Sequence, residues 1–467
     1  MRTPVLILAL MAGLHALCPA DAEVFRPQDY GATPDGAALC TEAIQQAIDA
    51  CAETGGGTVR LAGGDFVSGT LFLKNNVTLD IAENAVLLGS TNLDDYPSTI
   101  PEYRSYTDNY TERSLIYGEN LTNIVITGKG RIDGRGAAFE GEWKLRPYLL
   151  RLVTCRNIQV RDVTLRNSPM WMQHYLACDN VTIQNIRVYN HCNRNNDFID
   201  IDGCHNVLIE DCVGDTDDDG ITLKSTSARA CENVVIRNCT VSSHCNAIKC
   251  GTESNGGFKN ITIENCTIKP SADTEPIFGR PTGLAGVALE VVDGGTMRNV
   301  LVSDIDIEGT LAPIFLRLGN RARPFLKGAP KPEVGVLRDV IIRNIRAKEA
   351  SAMGCPIAGL PGHPIQNLTL ENVAMSFAGG GKETDRTRNF DEKAADYPEC
   401  KMFAPRLPAF GLYCWHVDGL ILNNVKLTAT APDARPAVAL EDVRNAIWNS
   451  TPLSGKDAPQ EVHIMAQ

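Results

Sequence analysis

Positive charge is the minority in this 467-residue chain, where 44 lysines and arginines stand against 56 aspartates and glutamates for a net charge of −12. Without a basic excess there is no global field to hold nucleic acid or an anionic membrane, and an anionic substrate has to be met by local cations. Long apolar runs are scarce as well. The candidate stretch, Val5 to Leu17 behind Arg2, falls short of the roughly 20 residues a spanning helix needs. Followed by Ala20-Asp21-Ala22 as a small-x-small cleavage site, it makes residues 1–22 read as an export signal. The mature chain is then expected to be secreted or periplasmic, with no membrane span. A lipid anchor at Cys18 is the rival reading, against which bulky Leu17 argues. Compositional bias is also missing: 43% hydrophobic and 21% charged residues exclude a disordered or collagen-like chain.

The cysteines do not make an even set. Loss of Cys18 with the signal leaves 15 of 16, so a pure disulfide framework is excluded. What several share is a position, because Cys155, Cys178, Cys204 and Cys231 each stand two residues before an Asn and an apolar run. The segments CRNIQVRDVTL, CDNVTIQNIRV, CHNVLIEDCVG and CENVVIRNCTV begin at these cysteines, and FKNITIENCTI begins at Phe258, with starts spaced by 23, 26, 27 and 27 residues. Weaker copies begin at Leu121, Arg298, Arg338, Gln366 and Asp418.

Alternating apolar and polar side chains in each copy mark a half-buried strand, and the intervals leave little room for crossover helices. Each coil must then satisfy its backbone donors on the next one, which describes an all-β solenoid, a parallel β-helix. Asn suits the bends, since it tolerates left-handed backbone angles and its amide can bond to the Asn of the next coil. Cys212, Cys239 and Cys266 would stack in the same way. Rungs about 4.8 Å apart leave both disulfides and free thiols open.

Near the start, Thr41 to Ala52 places Ala43, Ile44, Ala47, Ile48 and Cys51 on one helical face before the stop Gly55-Gly56-Gly57. Such a helix would cap the open end of the solenoid. The expected organisation is one domain over 23–467, acting as a monomer, with its N-terminal cap at about 23–60. Stretches rich in Pro, Gly and charge at 94–113, 270–281, 324–333 and 379–408 read as loops that wall a binding groove. Past about Asn445 the repeat ends.

The densest carboxylates lie in the middle coils, as NNDFIDID from Asn195 and, one coil later, DTDDDGITLK from Asp215. Aligning Ile199 and Ile201 with Ile221 and Leu223 sets Asp197 beside Asp219, with Asp218 next to both. A strand would aim Asp218 and Asp219 to opposite faces, so the pair belongs at a bend or strand entrance. Crowded carboxylates repel, which can hold one protonated while others stay ionised, as acid and base catalysis requires. The other readings are a Ca²⁺ site or a solvated acidic turn. Asp215, Asp217, Asp219 and Gly220 start like a calcium loop, yet Thr226 stands where the closing Glu belongs.

Taken together, DYGATPDG (29–36), the capping helix, the stretch 55–79, NSPMWMQH (167–174), NND (195–197) and DDDG (217–220) resemble the polygalacturonase family of glycoside hydrolases, family 28. The resemblance implies a right-handed β-helix and no cofactor or metal. It implies Asp218 as general acid and Asp197 and Asp219 as the groups that position and deprotonate water, so that a pectin-related glycan would be cleaved with inversion. Asn195 would orient the group or simply occupy a bend. Two family motifs are missing: Asn246 stands at the expected His of Gly-His-Gly, and Ala288-Leu289-Glu290 replaces Arg-Ile-Lys. A cationic grip on a uronate carboxylate is thereby lost, while Lys224 and Lys249 fall on the presumed groove face and could supply one. Glu290 would bond sugar hydroxyls or pair with a lysine, and Trp171 and His174 read as packing residues. The competing functions are a calcium-dependent polysaccharide lyase and a noncatalytic glycan-binding β-helix.

Overall fold

The computed structural model describes residues 23–449, 451–452 and 462–465. The export signal expected over 1–22 lies outside them. Strands pair in parallel from coil to coil, and the short hairpin of Ile447–Trp448 with Thr451–Pro452 is the exception among the named strands. One stack of strands runs through Tyr148–Val153, Gln173–Leu176, Ile199–Asp202, Ile221–Ser225, Asn246–Ser254, Ala285–Val291 and Ala312–Leu318. A second runs through Arg156–Arg161, Asp179–Gln184, His205–Glu210 and Cys231–Arg237, and a third through Thr164–Arg166, Arg187–Asn190 and Val213–Thr216. From Phe258–Ile268 onward the second and third stacks join into single bent strands, such as Thr296–Glu308 and Val336–Ala350. The chain winds as a right-handed parallel β-helix, the hand that parallel strand crossovers take.

Register follows the alternation in sequence. Ile199 pairs with Ile221, Ile221 with Ile248 and Ile248 with Val287, while Ile201, Leu223, Cys250 and Leu289 form the next inward row. These side chains are buried, and each contributes about 1.5–3 kcal/mol by leaving water. The residues between them, Asp200, Thr222, Lys249 and Ala288, share the opposite face. The hydrophobic rows thus fix which charged groups share that outer face.

The bends carry the predicted asparagine stack. Asn123, Asn157, Asn180, Asn206, Asn233, Asn260 and Asn299 all have φ between 56° and 59°. Each amide donates to the side-chain oxygen of the residue one coil earlier, beginning with Asn123 on Asn76 at 2.8 Å and ending with Asn299 on Asn260 at 3.1 Å. A second ladder runs from Asp304 through Asn344 and Asn372 to Asn424. The helix forms at Thr41–Glu53 with Ala43, Ile44, Ala47, Ile48 and Cys51 buried, as the apolar spacing requires. Gly56 closes it at φ 122°, where a Cβ would lie 2.5 Å from the Asn76 carbonyl oxygen. All 15 described cysteines are free thiols, with Cys212, Cys239 and Cys266 buried. No strand forms within 94–113, 270–281, 324–333 or 379–408, which are loops with short 3₁₀ turns.

Candidate active site

Two bends on neighbouring coils build the site. The first runs ahead of Ile199–Asp202 and carries Asn195, Asn196 and Asp197; the second joins Val213–Thr216 to Ile221–Ser225 and carries Asp217, Asp218 and Asp219. Asn196 holds the first bend shut: its oxygen accepts the Cys192 and Asn193 N–H groups, and its amide donates to the Ser168 and Met170 carbonyls. Backbone bonds from Phe198 to the Asp219 carbonyl and from Gly220 to the Asn246 carbonyl then bring Asp197, Asp219 and Asn246 to one level of adjoining coils. The bend placement expected for Asp218 and Asp219 is met.

Asp219 is the clamped member of the group. Lys249 Nζ donates to its Oδ2 at 2.8 Å, and the Asn246 amide donates to its Oδ1 at 2.7 Å. Burial would raise this carboxyl, but Lys249 and Lys224 outweigh burial and hold it below the usual carboxylate range. Asp218 keeps part of its surface open and accepts the Asp219 N–H at 2.9 Å. Burial first, and then the charge of Asp219, push Asp218 up to about 6. Asp197 is driven well above its ordinary value by burial and by its neighbours Asp200 and Asp218. Its Oδ1 and the Asn246 Oδ1 are buried acceptors without a protein donor.

Beneath these groups lies a layer of buried charge. Lys224 Nζ sits 3.3 Å from Asp200 and 3.9 Å from Asp197, and 4.5 Å above the Trp171 ring. Burial opposes its charge, but Asp200 and Asp197 keep it cationic. Asp200, fully buried, is pushed up to about 7 by desolvation against the pull of Lys224. Lys249 also reaches Glu290 at 4.0 Å and the Tyr397 hydroxyl at 3.4 Å. Glu290 has no exposed surface, and burial raises it to about 8 against the pull of Lys249. Of its two expected roles, contact with a lysine is the nearer to what its surroundings supply, but as a buried carboxyl 4.0 Å from Lys249 whose oxygens accept no hydrogen bond.

Asn195 takes a left-handed bend at φ 57° and accepts from Arg146 Nη2 at 2.9 Å; its side-chain bond goes to this arginine and not to an aspartate. Burial first, and then the charge of Arg194, hold Arg146 below the usual guanidinium range. Trp171 and His174 are buried, as packing residues should be, with rings 5.3 Å apart. The calcium-loop arrangement does not form. Asp215 bonds His191, Ser271 and the Ala272 N–H, Asp217 bonds His244 and the Ile277 and Phe278 N–H groups, and Asp219 bonds Lys249 and Asn246. The chain bends through this segment, so residues that alternate in sequence aim at separate donors.

Several residues at the site carry no repeat signal. Glu253 accepts from Arg323 at 2.6 Å and is held low by Lys224, Arg321 and Arg323 against burial. Asp293 binds both arginines, and the Arg323 guanidinium lies 4.2 Å over Tyr106. Tyr397, from the loop 379–408, is 53% exposed and packs 5.6 Å from both Lys249 and Arg321. The loop 94–113 closes on the same region through the Tyr106 N–H on the Thr226 carbonyl and the Tyr103–Ser227 hydroxyl pair. A density of acidic residues flagged the aspartates; no pattern in the loops could have flagged these partners.

Fold and site together define a β-helical protein with a cluster of crowded carboxyls braced by buried lysines. Residues 62–396 match the model of Glycosyl hydrolases family 28, and the chain belongs to that family. It is 35% identical over 212 residues to a "Probable polygalacturonase" of Vitis vinifera, covering 42% of this chain and 43% of that protein. It is 31% identical over 255 residues to an "Exo-poly-alpha-D-galacturonosidase" of Dickeya chrysanthemi, covering 43% and 42%. The chain thus spans less than half the length of these curated relatives. Among solved structures, the exopolygalacturonase of Thermotoga maritima superposes with a TM-score of 0.64 at 23% identity, over 76% of this chain and 87% of that one. The Yersinia enterocolitica family 28 exopolygalacturonase gives 0.66 at 19%, over 91% and 78%. At these identities the superpositions speak for the fold.

Proposed function

We propose that the protein hydrolyses a glycosidic bond in a pectin-related glycan, with inversion at the anomeric carbon. The observation that carries this reading is the contrast between adjacent carboxyls: Lys249 and Asn246 donate to Asp219 and hold it ionised, while Asp218 accepts a backbone N–H and burial pushes it up to about 6. Asp218 keeps a proton to give to the leaving oxygen. Asp219 stays ionised to take one from water, and Asp197, with a free buried oxygen, holds that water in place. Electrons move from water to the anomeric carbon and from the scissile bond to the oxygen that Asp218 protonates.

A uronate is the substrate class the surrounding charge favours. Lys224 and Lys249 are almost completely buried and committed to aspartates, so they tune the acids more than they offer a free cation. Arg323, whose side chain is 28% exposed, and Arg321 at 10% offer cationic surface nearby, although both are also paired with Glu253 and Asp293. These arginines stand in for the missing Arg-Ile-Lys segment, with Tyr397 as a platform for a sugar face. A secreted or periplasmic location and a monomeric state complete the proposal.

The test is a panel of homogalacturonan, rhamnogalacturonan and neutral pectic oligosaccharides with reducing-end detection and NMR of the first product anomer. Asp218→Asn is expected to lose about 10²- to 10⁴-fold in turnover. Parent-level turnover in that variant would remove Asp218 from the acid role, and a retained anomer would exclude inversion. Unsaturated products, lost on chelation, would favour the lyase.

A further inference from the structure

Next to the bend that carries Asp218, where Asp217 bonds His244, two histidines from different coils lie with ring centroids 4.8 Å apart. His191 Nε2 lies 2.9 Å from Asp215 Oδ1, and His244 Nδ1 lies 2.9 Å from Asp217 Oδ1. A carboxylate accepts only, so each imidazole spends one N–H on its aspartate and keeps its other nitrogen for a second partner. That leaves His191 Nδ1 buried without a hydrogen-bond partner, on a side chain only 3% exposed. The corresponding His244 Nε2 lies 2.9 Å from the Asp273 carbonyl oxygen, so this ring donates from both nitrogens, to Asp217 and to Asp273, and a metal ion would take the place of the Nε2 proton. The Asp273 carboxylate completes the group, and ligand atoms of His191, His244 and Asp273 all lie within 4.8 Å of one another.

We propose that His191, His244 and Asp273 bind a divalent transition-metal ion of the zinc class. Two imidazoles and one carboxylate form the donor set that zinc accepts, while calcium and magnesium require oxygen ligands. The supporting shell is already built, with Asp215 and Asp217 each orienting a histidine through its far nitrogen, the arrangement that fixes tautomer and raises ligand basicity. Three carboxylates around two imidazoles also leave negative charge for a dication to balance. Tetrahedral zinc needs its ligand atoms about 3.3 Å apart. Reaching that spacing calls for a local shift within the group, of which Asp273 is partly exposed on the loop 270–281.

The ion would fasten that loop to the coil. Ser271 and the Ala272 N–H already bond Asp215, the Ile277 and Phe278 N–H groups bond Asp217, and the Tyr189 hydroxyl bonds Asp273 at 3.1 Å. Asp217 directly precedes Asp218, so a metal here would stiffen the bend that aims the proposed acid without touching it. This inference is independent of the hydrolytic reading.

Untagged protein, stripped with chelator and titrated with zinc chloride in a calorimeter, is expected to take up one equivalent at micromolar affinity or better and to melt at higher temperature when loaded. Cobalt substitution should give the visible d–d bands of a four-coordinate nitrogen–oxygen site, and calcium should not compete. His191→Ala and Asp273→Ala should each weaken binding at least 10-fold. Asp273, on a partly exposed loop, decides the matter if the His191 variant does not fold. No stoichiometric zinc uptake by the parent, or equal affinity in Asp273→Ala, would overturn the proposal.

Discussion

Lys249 Nζ lies 2.8 Å from Asp219 Oδ2, and this ion pair separates the protonation of two carboxyls that adjoin in sequence. The lysine lowers Asp219 by direct contact and Asp218 more weakly from farther away, so the two do not titrate alike.

The pH profile follows from that separation. A general acid acts only while protonated, so kcat/KM should fall as pH rises through about 6, where Asp218 loses its proton. Lys249→Met removes a cation that favours ionised Asp218, so the alkaline limb should move to higher pH while kcat drops. A limb that stays put or moves down would show that Lys249 does not tune the acid.

Glu290 is a stability site. Its carboxyl is raised to about 8 in the folded protein, against about 4.3 in an unfolded chain. Across that window the unfolded state releases the proton first, so the stabilising contribution is present below it and is lost as pH rises towards 8. Glu290→Gln is expected to gain roughly 1–3 kcal/mol near pH 8 and little near pH 4. Denaturant melts at the two pH values check the sign.

Tyr397 combines 53% exposure with a hydroxyl near Lys249. As a sugar platform its loss in Tyr397→Ala should raise KM by roughly 2- to 10-fold with kcat little changed, and Tyr397→Phe should restore binding. Equal KM in parent and Ala variant would leave the ring no substrate role.

Asn233 tests the ladder. It sits at φ 57° between amide bonds of 3.1 Å to Asn206 and 2.9 Å from Asn260. Asn233→Ala should cost roughly 2–4 kcal/mol from the left-handed backbone and the lost bonds together. Asn233→Gly should recover the backbone share. Thermal melts of the pair separate the two contributions.

The fold was legible because its period is short and its alternation strict: aligning Ile199 with Ile221 and Ile248 gave the register that brings Asp197, Asp219 and Asn246 together. The same alignment set Lys249 and Ala288 side by side on the outer face. What stayed hidden arrives from outside the repeat. Arg321 and Arg323 follow the strand Ala312–Leu318, and Tyr397 lies in a loop with no period, so nothing in their spacing ties them to aspartates far away in sequence. The calcium-like run from Asp215, already broken by Thr226, fails in space as well: spacing rules assume one loop conformation, and here the chain turns so that each aspartate meets its own partners.

The asparagine ladder also bears on how such a molecule could diversify. Its amide bonds join residues 27 apart at 2.9 Å, 39 apart at 3.1 Å and 47 apart at 2.8 Å. Contour length between anchors can nearly double while the pitch at that edge holds constant. One rim of the coil therefore serves as a fixed ruler, and the opposite rim is free to acquire new sequence, and new substrate preferences, without displacing the acids.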